Sequence, residues 1–127
     1  EIKFYEGYTS LEKTSLVGYA FVSAGRGYSS TIETMVGVDT SGAIIGIRVL
    51  RQVETPGLGT RVEEIKYGES DSWFQRQFLR KNAEVINVDK DGGDIQSITG
   101  ATISSRAVTR SIVSGFKDLK AQLSPQQ

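Results

Sequence analysis

The pattern of apolar segments separated by polar, glycine-containing turns predicts three consecutive β-strands in the first half of the chain. Each is a short segment rich in β-branched and aromatic residues: 16–23, 31–38 and 43–50. Glycine-containing turns separate them at 25–28 and 39–42, the third segment is almost continuously apolar, and residues 2–8 alternate loosely between apolar and polar. Because the connections are short, we expect the strands to form an antiparallel meander.

The clearest predicted helix lies at the end of the chain. Apolar residues recur there at intervals of three or four positions and form a single stripe: Val108, Ile112, Phe116, Leu119 and Leu123. This helix is expected to begin near Thr102, to pack across the sheet and to fray after Leu123.

Capping signals predict two shorter helices before it. Thr60 and Glu63 have the spacing of a capping box, which favours a short helix from about Arg61. Ser70 or Asp71 would cap a second helix that runs to about Arg80. Two aromatic residues four positions apart would form its inner face: Phe74 and Phe78.

The remaining segment, Glu84–Val88, has the composition of a fourth strand and precedes a turn at 89–94. Together the elements predict an α+β fold, an antiparallel β-sheet meander packed against a long C-terminal helix and one or two shorter helices. The length of 127 residues fits one domain, 1–127.

Composition narrows the chemistry that this domain can perform. The chain contains no cysteine and no histidine, so it lacks thiolate ligands, thiol nucleophiles and the commonest general base. Metal centres and hydrolytic triads are therefore not expected, and any redox chemistry must come from a bound cofactor. Lysine plus arginine and aspartate plus glutamate are both 15, and this balance predicts no nucleic-acid partner.

Membrane attachment is not visible in these residues. No stretch approaches the roughly 20 apolar residues that cross a bilayer. The chain begins with Glu1 rather than Met, and we expect that an N-terminal segment precedes it in the full-length protein.

The segment 97–106 contains the first candidate site. It is a hydroxyl-rich turn that opens the last helix, where Thr99 or Thr102 could act as the N-cap. Its early turns contain Arg106 and Arg110 but no acidic residue, although cations are unfavourable at a helix start.

An external anion at the helix start would explain this charge pattern. A phosphate would be held by backbone N–H groups and by side chains of the segment: Thr99, Thr102, Ser104, Ser105 and Arg106. The alternative is that Thr99 or Thr102 is only a cap and that both arginines are solvated.

The second candidate is the sequence Glu54-Thr55-Pro56-Gly57-Leu58-Gly59. Its Pro-Gly pair favours a type II turn, its glycines let backbone approach a flat ligand, and Leu58 could lie against a ring face. The alternative is an ordinary connection that leaves a strand. Five aromatic residues could stack on a ligand, although core packing explains most of them: Tyr19, Phe21, Tyr28, Trp73 and Phe74.

Taken together, these motifs resemble one family. Thr99-Gly100-Ala101-Thr102 looks like the [Ser/Thr]-Gly-Ala-Thr flavinylation motif, and residues 54–59 match a second signature. Residues 18–21 and 25–29 are similar to its early hairpin. The family is the FMN-binding domain shared by the G subunit of the Rnf electron-transport complex, which it resembles most, and the C subunit of the sodium-translocating NADH:quinone reductase.

The resemblance implies a covalent cofactor. In that family FMN is joined through its phosphate to the last threonine of the motif, which is Thr102 here, and a separate flavin transferase makes the bond from FAD with a divalent metal. The loop 54–59 would flank the isoalloxazine. The implied FMN-binding residues are Thr102, Thr99, Gly100, Ala101, Ser104, Ser105, Arg106, Glu54, Thr55, Gly57, Leu58 and Gly59. The chain departs from the family pattern at Gln96, usually Asp, and at Gln52, often His.

The resemblance also implies a role. The domain would carry electrons within a membrane-bound, ion-translocating oxidoreductase of the Rnf type, without independent turnover. Its partners would be the other membrane subunits and, during maturation, the flavin transferase. It would lie on the extracytoplasmic side of the cell membrane, anchored by an N-terminal helix. Two alternatives remain, an FMN module of a small-acceptor reductase and a flavin-free extracytoplasmic scaffold.

Overall fold

The computed structural model describes residues 2–9, 11 and 15–124. Four strands form one antiparallel sheet in sequential order: β1 (Phe4–Tyr8), β2 (Leu16–Arg26), β3 (Thr31–Asp39) and β4 (Ile44–Arg51). The predicted meander is therefore confirmed. The loosely alternating segment at the start of the chain supplies its first strand.

A long helix, α2 (Thr102–Leu123), packs on one face of the sheet. Alternate residues of β3 point toward it and are buried, because side chains of a strand alternate between its two faces: Ile32, Thr34, Val36 and Val38. The helix buries the first four members of its predicted stripe, and Leu123 packs against the same core. The α+β prediction is confirmed, and α2 begins at the expected residue.

The helix α1 is shorter than the sequence predicts, since it spans only Trp73–Arg76. Its N-cap is Ser72, whose hydroxyl accepts from the Gln75 N–H, so the prediction of Ser70 or Asp71 is wrong. The helix stops early because the following chain pairs with the edge of β4. There the Arg80 N–H donates to the Ile44 carbonyl at 2.7 Å. As predicted, Phe74 and Phe78 are fully buried.

Two further predictions of local structure are wrong. Residues 84–88 form no strand, because Val88 makes only one isolated bridge, to Ile95, and its carbonyl accepts from the turn that follows. That turn contains a short 3₁₀ helix, Asp89–Asp91. The predicted capping box does not form either. A 3₁₀ helix runs from Gly59 to Glu63, and the Thr60 hydroxyl accepts from the Gly57 N–H instead of capping a helix.

Within the described ranges, no helix is both long enough and apolar enough to span a bilayer.

Candidate functional site

The two segments singled out in the sequence meet at one cavity of about 610 Å³. This site cavity lies between the loop that follows β4, the start of α2 and the β2–β3 turn. Its lining residues are Tyr28, Thr55, Leu58, Gly59, Gly100, Ala101, Thr102, Ile103 and Ser104. The volume falls within the range of small-molecule and cofactor sites.

The loop wall of the site cavity is built on a tight turn. The Leu58 N–H donates to the Thr55 carbonyl at 3.0 Å, and Gly57 adopts a φ of 79°. A positive φ at the third position is the mark of a type II turn, so the predicted Pro-Gly turn is confirmed. Leu58 remains 43% exposed and lies opposite Gly100, whose backbone makes room for it. The turn therefore presents an apolar side chain to the site cavity.

The helix wall exposes unpaired backbone donors. Neither Thr99 nor Thr102 caps α2, because its N-cap is Ala101 and no side chain bonds to the cap position. The hydroxyl of Ser105, one turn inside, accepts from the Ile98 N–H at 3.0 Å and donates to the Ala101 carbonyl at 2.9 Å. Among the residues that the structure describes, none accepts from the backbone N–H groups of residues 102–104. These three donors and the positive end of the helix dipole favour an anion at this wall.

The buried carboxylate of Glu54 connects the segments that line the site cavity. Glu54 is 3% exposed, and its oxygens accept from the Tyr28 N–H at 2.8 Å and from the Ser104 hydroxyl at 2.6 Å. The Ser29 N–H and the Ser30 hydroxyl donate to it as well. One side chain thus connects the β2–β3 turn, the loop after β4 and the first turn of α2.

The same hydrogen bonds keep Glu54 ionised. Burial acts to raise the pKa of this carboxyl, but donors from Ser104, Ser30 and the N–H groups of Tyr28 and Ser29 outweigh burial and lower the pKa to about 2.

Two glycines leave room for this carboxylate. A Cβ on Gly27 would lie 2.5 Å from Glu54 Oε1. A Cβ on Gly59 would lie 2.5 Å from Glu54 Cβ and 2.6 Å from Ser104 Oγ. The loop can therefore approach α2 only because position 59 lacks a side chain.

Residues 27–116 match the FMN-binding domain family. The chain belongs to this family. Its relatives include the G subunit of the ion-translocating oxidoreductase complex of Vibrio vulnificus, 40% identical over 86 residues, which are 68% of this chain and 41% of the relative. The corresponding G subunit of Pasteurella multocida is 37% identical over 109 residues, 85% of this chain and 54% of the relative. The chain thus spans about half the length, or less, of these curated relatives.

A solved structure shares the fold. The C subunit of the Na(+)-translocating NADH-quinone reductase from Parabacteroides distasonis superimposes with a TM-score of 0.64 over 87% of this chain and 58% of that chain. The two sequences are 24% identical. The sheet-and-helix arrangement is therefore common to both.

For this FMN-binding domain, the structure divides the predicted site residues into two groups. Those that line the site cavity are Thr55, Leu58, Gly59, Gly100, Ala101, Thr102 and Ser104. Those that do not line it are Glu54, Gly57, Thr99, Ser105 and Arg106. Of the second group, Glu54 and Ser105 make hydrogen bonds that fix the segments lining the site cavity.

Arg106 has an internal partner. Its guanidinium donates twice to Asp91, at 2.8 and 3.0 Å, and Arg110 donates to the same carboxylate at 3.2 Å. The Arg106 hydrogen bond holds the pKa of Asp91 below its usual value. The first turns of α2 contain no acidic residue, but the preceding 3₁₀ helix supplies one, Asp91. An external anion is therefore not needed to explain the two arginines.

The sequence analysis missed one residue that lines the site cavity, and it named a second only as one of five aromatic candidates. Ile103, next to the motif threonine, is 50% exposed and lines the site cavity. Of the five aromatic candidates, only Tyr28 lines it, and it is 68% exposed, whereas Phe21 and Phe74 are core residues. An apolar residue beside a hydroxyl-rich motif is the signal that could have identified Ile103.

Proposed function

We propose that this domain is an electron carrier whose FMN is attached through its phosphate to the hydroxyl of Thr102. The observation that supports it most strongly is the site cavity itself. It brings Thr102 and the loop 55–59, about 40 residues apart in sequence, to opposite walls of one space.

The helix wall suits the phosphate end of the cofactor. Thr102 lines the site cavity, and its hydroxyl makes no hydrogen bond to any residue within the described part of the chain. Backbone N–H groups of residues 102–104 lie beside it without partners there. A phosphate ester at this hydroxyl would receive these donors and the helix dipole together.

The apolar side chains suit the ring end. Leu58, Ile103 and Tyr28 are all exposed toward the site cavity, although large apolar side chains are favoured inside. A flat aromatic cofactor between them would remove this surface from water. Bound FMN would supply the redox chemistry that a chain without cysteine or histidine does not. The protein contributes its attachment, its orientation and partial exclusion of water.

Attachment requires a second protein in this proposal. A flavin transferase would take FAD as donor, join the FMN phosphate to the Thr102 oxygen and release AMP. Gln96, which replaces the usual Asp of the family, has an exposed side chain, while its backbone pairs with the amide of Gln77. Position 96 is thus open to contact by such an enzyme.

The relatives named above also suggest which complex the full protein belongs to and where it lies. We propose that the full protein belongs to an ion-translocating oxidoreductase complex of the Rnf type, with the other membrane subunits as its partners. An N-terminal helix outside these residues would anchor it, and the domain would lie on the extracytoplasmic side of the cell membrane.

Absorption after denaturation tests the proposal. The chain is produced with and without a flavin transferase, unfolded in denaturant and freed of small molecules. We expect flavin absorption to stay with the polypeptide only in the sample made with the transferase. Colour that separates from the unfolded chain would show non-covalent binding, and a colourless chain in both samples would contradict the proposal.

A further inference from the structure

A second cavity, of about 360 Å³, adjoins the site cavity along α2. This arginine groove is lined by Gly25, Arg26, Ile103, Arg106, Ala107, Arg110 and Ser111. Ile103 lines both cavities and therefore forms the ridge between them. A ligand bound in the arginine groove would therefore be separated from the site cavity by the side chain of Ile103.

The groove carries an excess of positive charge. Arg106 and Arg110 share a single carboxylate, Asp91. Arg26 forms no ion pair with any residue in the described ranges. Three guanidinium groups thus face one carboxylate, in a chain whose formal net charge is zero. The local field is positive where the molecule as a whole is neutral.

The exposure of these groups favours an extended partner over a small buried anion. The side chain of Arg110 is 64% exposed, whereas those of Arg106 and Asp91 are 30% and 22% exposed, so Arg110 reaches outward above the Arg106–Asp91 pair. Arginines around an exposed apolar residue, here Ile103, are typical of protein interfaces, where arginine is enriched and forms paired hydrogen bonds with carboxylates.

We propose that the arginine groove is the docking surface for an acidic patch on a redox partner protein. This inference rests on the proposed electron-carrier function. Docking there would place the partner against Ile103 and so beside the flavin. Charge complementarity of this kind acts mainly on the rate of encounter and on its dependence on salt.

The first test measures electron transfer with two small oxidants of opposite charge. The FMN-loaded chain is verified by mass and reduced chemically. Its oxidation by ferricyanide, an anion, and by hexaammineruthenium(III), a cation, is then followed at low and high salt. The variants are Arg26→Gln, Arg110→Gln and their combination. Arg48→Gln, in β4 and outside both cavities, is the matched control.

We expect the combined variant to slow the ferricyanide reaction by about threefold or more at low salt. It should not slow the hexaammineruthenium reaction, and high salt should remove the difference. The control should react like the parent chain. Equal effects of the control and the combined variant, or no effect of either, would overturn the proposal.

The second test does not depend on the flavin. Backbone amide signals of the same protein are recorded during titration with a short polyglutamate peptide and, separately, with inorganic phosphate. We expect the peptide to shift amides around residues 26, 103, 106 and 110, and the combined variant to lose these shifts. Phosphate shifts confined to amides 102–104 belong to the helix start, whereas phosphate shifts of amides 26, 106 and 110 would identify a small-anion site in the groove and overturn the docking role. Failure to load flavin would contradict the proposed function but leave this titration decisive for the groove.

Discussion

Glu54 is the residue on which the shape of the site cavity depends. Its carboxylate receives donors from the β2–β3 turn and from Ser104 of α2, although it lies outside the cavity lining. A carboxylate can accept from several donors at once, whereas an amide has one acceptor oxygen and must also place its own N–H groups. The ionised carboxylate of Glu54 therefore positions the β2–β3 turn and the first turn of α2 relative to each other.

Glu54→Gln tests this role through pH. The folded pKa is lowered to about 2, so the stabilisation by Glu54 is complete above the ordinary carboxyl pKa and is lost as pH falls toward about 2. We expect the variant to be less stable by about 1–3 kcal/mol near neutral pH. This deficit should shrink as pH is lowered from about 5 to about 2.

Thermal unfolding of the parent chain and of Glu54→Gln across this pH range measures the effect. Asp91 and the other carboxylates are common to both proteins, so their titration cancels in the difference. A deficit that stays constant with pH would mean that the charge of Glu54 contributes nothing.

At the scale of elements, the contact between the 3₁₀ helix at Gly59–Glu63 and α2 fixes the width of the site cavity. We expect Gly59→Ala to destabilise the fold by about 1–3 kcal/mol, because the new methyl group would collide with Glu54 and Ser104. Flavin loading should fall as well. Gly46→Ala in β4 is the control, since a Cβ there meets nothing within 4 Å. Denaturant unfolding that shows equal losses for both variants would contradict this packing.

Elements with a long, regular pattern could be predicted from the sequence. The stripe of α2 is long enough to specify its type and position, and the segments of β2 to β4 are rich in strand-forming residues and lie between clear turn signals. The extent of α1 could not be predicted, because the chain just beyond its end at Arg76 is held by the pairing of Arg80 with Ile44, a contact between segments far apart in sequence. The fold of residues 84–88 was missed because local hydrogen bonds override their strand propensity.

The candidate site was predictable only in part. Short motifs identified Thr102 and Leu58, which line the site cavity. The role of Glu54 could not be predicted, because its partners come from segments far away in the sequence. The pairing of Arg106 with Asp91 could not be predicted either, since the two residues lie 15 positions apart in the sequence.

At the scale of the whole molecule, the site cavity lies at the margin of the hydrophobic core, which it meets at Ala101. The core joins the sheet, α1 and α2 through fully buried residues such as Phe21, Phe74 and Ile112, none of which lines the site cavity. We therefore expect the chain to fold without flavin and to unfold in one cooperative transition. Bound flavin should raise the midpoint, because it adds interactions to the native state alone.

Calorimetry of the chain made without a transferase checks this expectation, with the flavin-loaded chain as comparison. A broad, non-cooperative transition that becomes sharp only with flavin would show that the cofactor is part of the core. NADH-dependent turnover by the flavin-free chain would contradict the carrier role.

The central claim is that Thr102 bears the flavin, and the mass of the peptide that contains it tests this most directly. The parent chain, Thr102→Val and the control Thr40→Val, in the exposed β3–β4 turn, are each produced with the same transferase. Valine has nearly the shape of threonine but no hydroxyl, and Thr102 is not the helix cap, so the fold should persist. We predict the added mass of FMN on this peptide in the parent and in Thr40→Val, and none in Thr102→Val. FMN mass that remains on the Thr102→Val peptide would contradict the account.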